Sequence, residues 1–71
     1  HHGIDMAAIK GTPIHAASAG TITKAGHVKG FGLTVEITHS LKYTTHYAHL
    51  SEIAVRHGQR VKQGELIGRV G

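Results

Sequence analysis

The chain has 71 residues, with eight Lys and Arg against four Asp and Glu, eight histidines and no cysteine. That length allows at most one small domain, near the lower limit at which a core alone holds a fold. The lack of cysteine excludes disulfides and thiolate zinc sites, and the formal charge of +4 suits an anionic partner such as nucleic acid, anionic lipid or a bacterial envelope polymer.

The chain opens with His1-His2-Gly3-Ile4-Asp5, a histidine and a carboxylate four positions apart with a glycine between them. In an extended segment their backbones would lie roughly 13 Å apart, too far for both to reach one ion through the roughly 2 Å bonds of zinc. A metal half-site therefore requires a bend, which Gly3 permits. On these residues alone three readings stay open: a metal half-site, the remnant of an affinity tag, and a polar chain end without a role. The high histidine count raises the first, because histidine is the commonest metal ligand.

Beyond this opening, ten glycines punctuate short runs rich in Val, Ile and Thr, the pattern of an all-β protein with many turns. Thr12 to Ala16 is predicted as a short strand whose Pro13 suits an edge or first position. Thr21 to Ala25 alternates with Ile22 inward, and Gly26 to Gly32 reads as a glycine-studded loop. Leu33 to His39 gives the clearest alternation, with Leu33, Val35, Ile37 and His39 on one face and Thr34, Glu36 and Thr38 on the other. A turn at residues 40–42 leads to a second long strand, Tyr43 to Leu50, antiparallel to the first. Regular alternation puts Tyr43, Thr45, Tyr47 and His49 on one face and Thr44, His46, Ala48 and Leu50 on the other. By that count, at most one of His46 and His49 lines a common site. Ser51 to Val55 reads as irregular, and Arg60 to Lys62 and Glu65 to Ile67 as two short strands around the Gln63-Gly64 turn.

The basic residues Lys10, Lys24, Lys29, Lys42, Arg56, Arg60, Lys62 and Arg69 are scattered singly, without the stripe that tracks a nucleic-acid backbone. They are expected to solvate a surface, and no nucleic-acid partner is expected. No apolar run approaches the roughly 20 residues of a membrane span. With neither an initiator methionine nor a signal segment, the sequence is expected to be part of a longer protein.

In combination these residues resemble a known family. His1-x-Gly3-x-Asp5, Ala7-Ala8, Gly11-Thr12-Pro13-Ile14, Ala16-Ala17 and Ala19-Gly20 are similar to the opening of the lysostaphin-like (LytM-type) zinc endopeptidases of peptidoglycan. The match continues through Gly30-Phe31-Gly32, Val35-x-Ile37-x-His39, Tyr43-x-Thr45-x-Tyr47-Ala48-His49-Leu50-Ser51 and Gly58-Gln59-x-Val61-x-x-Gly64-x-x-Ile67-Gly68-x-x-Gly71. It runs in order through the whole chain and is closest in wording to the murein DD-endopeptidases of Gram-negative bacteria.

The resemblance implies an all-β fold, a small antiparallel barrel-sandwich hybrid with a groove across its large sheet, and residues 1–71 as the N-terminal and central part of a single catalytic domain. It implies zinc (Zn2+) held by His1, Asp5 and one further histidine, with a position kept open for water. The metal would lower the pKa of that water and polarise the scissile amide, and His49 would bond the water or steady the developing oxyanion. It further implies a location in the cell envelope, periplasmic or extracellular, with peptidoglycan peptide stems as the partner.

In family members a His-x-His motif follows the turn after Gly71 and supplies the third ligand and a second catalytic histidine. These 71 residues stop before it. Taken alone they are expected to bind zinc poorly, to turn over nothing and to leave the sheet without its closing strand. Ile9, Leu33 and Lys42 are smaller departures that touch loop geometry and groove lining.

His1 rather than His2 is read as the ligand, because only His1 stands four before Asp5. His39 is read as a packed, hydrogen-bonded structural histidine, and His15, His27, His46 and His57 as surface. Tyr43 and Tyr47 are read as lining a substrate groove, with aromatic packing on the sheet as the alternative. Two other functions compete. One is a degenerate, non-catalytic domain of the same fold that binds wall peptide or activates an amidase; retention of His1, Asp5 and His49 argues against it. The other is a lipoyl- or biotinyl-type carrier, which the turn language of Val61 to Ile67 resembles, but no lysine sits at the apex of the Gln63-Gly64 turn.

Overall fold

The computed structural model describes residues 9–71, so the bend expected at Gly3, with His1 and Asp5, lies outside the described residues. Every regular element described is a strand: β1 (Pro13–His15), β2 (Gly20–Val28), β3 (Gly32–Ser40), β4 (Tyr43–Ile53), β5 (Arg60–Val61) and β6 (Leu66–Val70). They form one six-stranded sheet in the order β1-β6-β4-β3-β2-β5, antiparallel at every pairing. The expected all-β antiparallel fold is therefore what the chain adopts.

The alternation in Leu33 to His39 explains the centre of the sheet. Val35 and Ile37 are fully buried, while Glu36 and Thr38 on the other face are only partly covered. Every strand sends at least one side chain into the same cluster: Ile14 from β1, Ile22 from β2, Val35 and Ile37 from β3, Tyr47 and Leu50 from β4, Val61 from β5, and Ile67 and Val70 from β6. A flat sheet cannot turn six strands toward one core, so this sheet curls into a half-barrel, as sheet twist favours. The two edges meet through the turn between β5 and β6, where the Ala16 N–H donates to the Glu65 carbonyl (2.8 Å) and the Gly64 N–H donates to the Ala16 carbonyl (2.8 Å).

Two expectations about extent are corrected. β2 runs on to Val28 rather than ending at Ala25, because Gly26 adopts a φ of +153° within the strand, a conformation open to glycine. The loop expected from Gly26 to Gly32 shrinks to a turn over residues 29–31. β4 likewise continues to Ile53, since its end pairs with β6 after leaving β3. From Tyr43 to His49 the other edge of β4 has no paired strand among the described residues.

His39 ties β3 to β4 and to the residue that leads into β2. It is the extra residue where Thr38 and Ser40 pair with Thr44 and Tyr43. Its Nδ1 lies 2.9 Å from the Ala19 carbonyl, its Nε2 lies 2.8 Å from Thr45 Oγ1, and its ring stacks on Tyr43 with centroids 4.7 Å apart. Both ring nitrogens are engaged, so the structural reading of His39 describes what it does.

Candidate active site

The feature that positions His49 is a break in the register between β3 and β4. Val35 pairs with Tyr47, but Leu33 pairs with Leu50, so Thr34 alone faces Ala48 and His49. Two residues opposite one define a β-bulge. Tyr47 and Leu50 are both buried in the core, at 4% and 6% exposure. Ala48 and His49 between them are therefore turned to the outer face, and His49 is exposed.

This corrects the alternation expected from the sequence. An unbroken strand would put His49 beside Tyr47 and Leu50 beside His46; the extra residue reverses that after Ala48. His46 and His49 share the outer face rather than opposing each other. His49 has a φ of +56°, and no other non-glycine residue among those described has a positive φ. Side chains seldom adopt this left-handed conformation, and where they do it concentrates at functional sites.

The face that His49 joins is polar. Glu36 stands directly across from His46, and His46 Nδ1 lies 3.5 Å from Glu36 Oε1. Thr23, the extra residue where β2 pairs with β3, donates to Glu36 Oε2 (2.8 Å), and its hydroxyl lies 3.0 Å from that of Thr38. Hydroxyls, a carboxylate and an imidazole thus form a strip across β2, β3 and β4. His49 extends it toward the end of β4 where β6 begins to pair. Counting histidines did not show that His46 belongs to this strip; only its register opposite Glu36 places it there.

Of the other expected site residues, the structure places Tyr47 in the core, packed on the sheet at 4% exposure. Its hydroxyl is buried without a hydrogen-bond partner among the described residues. Tyr43 is half exposed and stacked on His39. It lies six residues from His49, roughly 20 Å along the strand, so the structure does not bring the two together. His1 and Asp5 lie outside the described residues. Among the residues that are described, no three His, Cys, Asp or Glu side chains cluster as a metal site would need.

Comparison with known proteins gives the family and the fold. The chain is 45% identical to the peptidoglycan DD-endopeptidase ShyC of Vibrio cholerae over 71 residues, covering all of this chain and 16% of that protein. Its fold superposes on Helicobacter pylori Csd3 with a TM-score of 0.91 at 44% identity, covering all of this chain and 20% of Csd3. It superposes on the solution structure of lysostaphin with a TM-score of 0.89 at 36% identity, covering all of this chain and 30% of lysostaphin. The chain thus spans less than a third of each of these proteins. The model of peptidase family M23 matches residues 1–71, the whole length given, and the chain belongs to that family.

Proposed function

We propose that this chain is part of a zinc-dependent endopeptidase that hydrolyses peptide cross-links of peptidoglycan in the cell envelope. The observation that carries the reading is His49, an exposed imidazole in a left-handed backbone on a polar face, within a chain of peptidase family M23. ShyC, similar over the full chain, is named a peptidoglycan DD-endopeptidase.

The donor set at the start of the chain fits the metal: one imidazole from His1 and one carboxylate from Asp5, with no thiolate, is a set that zinc accepts. These two residues would hold it, completed by a histidine from beyond Gly71. When bound there, zinc would supply a Lewis acid that polarises a carbonyl and makes water more acidic. The described residues supply the rest. His49, free to point its ring away from the core, donates to or accepts from the reacting oxygen. The strip of Glu36, His46, Thr23 and Thr38 offers hydrogen-bond partners to an extended peptide lying across β4, β3 and β2. Neither Tyr43 nor Tyr47 enters this proposal.

The test is product analysis. The full-length protein, incubated with purified peptidoglycan and followed by mass spectrometry of the released fragments, should convert cross-linked dimers into monomers. Intact cross-links with a protein that carries no zinc would instead favour the non-catalytic, wall-binding reading.

A further inference from the structure

We propose that Gly71 is a positioning residue for His49, and that with the turn before β3 it clasps the bulge that aims the imidazole. The proposal rests on the reading that His49 takes part in hydrolysis, and it adds how the fold sets that side chain's direction.

The clasp closes from two sides. On the β3 side the His49 N–H donates to the Phe31 carbonyl (2.9 Å). Next to Phe31, Gly32 has a φ of +72°, a conformation that suits glycine, and a Cβ on it would lie 3.9 Å from the Cα of His49. On the β6 side the Gly71 N–H donates to the His49 carbonyl (3.0 Å). Both backbone polar groups of His49 are therefore engaged, and rotating the residue into an extended conformation would break both bonds. Gly71 also makes the close approach possible. A Cβ there would overlap the His49 carbonyl oxygen and lie 2.8 Å from the Leu50 carbonyl carbon and 2.9 Å from the Ser51 nitrogen. These are backbone atoms, which cannot swing aside as a flexible side chain can. Ser51 strengthens the same junction, its hydroxyl donating to the Val70 carbonyl (2.8 Å).

Gly68 provides an internal control. It too presses against β4, where a Cβ would lie 2.6 Å from the Glu52 carbonyl oxygen and 3.3 Å from Leu50 Cδ1; the second is the end of a side chain that can shift, and the backbone contact falls beyond the bulge. A loss caused only by poorer packing of β6 on β4 would follow from substitution at either glycine. A loss caused by misdirecting His49 would follow from Gly71 alone.

The experiment uses the full-length protein and a soluble cross-linked wall peptide. It measures kcat and KM per folded molecule, together with the His49 ring signals in carbon-13 correlation spectra. Gly71→Ala should lower kcat by about tenfold to a hundredfold, the scale of an ångström-sized misplacement of a catalytic group. KM should stay within about threefold, and the His49 ring signals should move. Gly68→Ala should keep the wild-type kcat and ring signals. Equal kcat per folded molecule in the two variants would overturn the proposal. Should Gly71→Ala fail to fold, Gly32→Ala carries the same test from the other side of the clasp: lowered kcat with shifted ring signals supports it, and unchanged kcat overturns it. His49→Ala is run in parallel. If that variant retains wild-type kcat, the hydrolytic reading fails, and the clasp is judged on the ring signals alone: shifted signals in Gly71→Ala support it and unshifted ones overturn it.

Discussion

His49 holds a left-handed backbone that costs an L-residue about 1–2 kcal/mol relative to its preferred conformations. Glycine does not bear that cost, whereas alanine does. His49→Gly should therefore be more stable than His49→Ala by about 1 kcal/mol in chemical denaturation, although both lose activity; equal stabilities would mean that the site is unstrained. Tyr47 poses the opposite question, a buried hydroxyl with no partner among the described residues. Removing such a group relieves a desolvation cost of about 1–3 kcal/mol, so Tyr47→Phe should be neutral or stabilising by up to about that amount. A clear loss of stability would reveal a hydrogen-bond partner outside residues 9–71. At this scale the sequence was partly legible. The motif Tyr47-Ala48-His49-Leu50-Ser51 singled out His49, but its face was misassigned. A bulge is a property of two strands in register, and counting along β4 alone cannot show that Thr34 faces two residues.

Strands were legible wherever one face is buried. Val35 and Ile37 alternate with Glu36 and Thr38 because the sheet has a wet side and a dry side, and that alternation located β3 almost to the residue. Boundaries were less legible where glycine sits inside a strand, as Gly26 does in β2, since the same residue serves turns and strands alike. The energetic consequence of the two faces is testable. Ile37→Ala empties a fully buried position and should cost about 2–5 kcal/mol. Leu41→Ala, at a fully exposed turn residue of similar size, should change stability by less than about 0.5 kcal/mol. Thermal or urea unfolding of the two variants checks the contrast, and comparable losses would mean that the core is not where the half-barrel places it. Gly20→Ala belongs with the first kind, because a Cβ there would lie 2.7 Å from both Ile37 Cγ2 and the Thr38 carbonyl oxygen.

For the molecule as a whole, family membership and the half-barrel come from motifs spread along the entire chain, and they survive the misassigned face of one histidine. The candidate site was less legible. The proposed metal ligands His1 and Asp5 lie outside the described residues, and the polar strip is assembled from three strands that alternation treats one at a time. The charge of +4 suits an anionic partner, while the scattered cations are surface residues, and among the described residues no helix is long and apolar enough to cross a membrane. Whether metal held at the start of the chain and His49 on the outer face of β4 together make a hydrolase is tested by pairing two readings on one sample. Zinc content and clearing of a cell-wall suspension are measured for the full-length protein and for His49→Ala. The expected result is that the variant keeps its zinc and clears the suspension at least about a hundredfold more slowly, the scale of losing a general acid or base. Clearing at the wild-type rate by the zinc-loaded variant would contradict it.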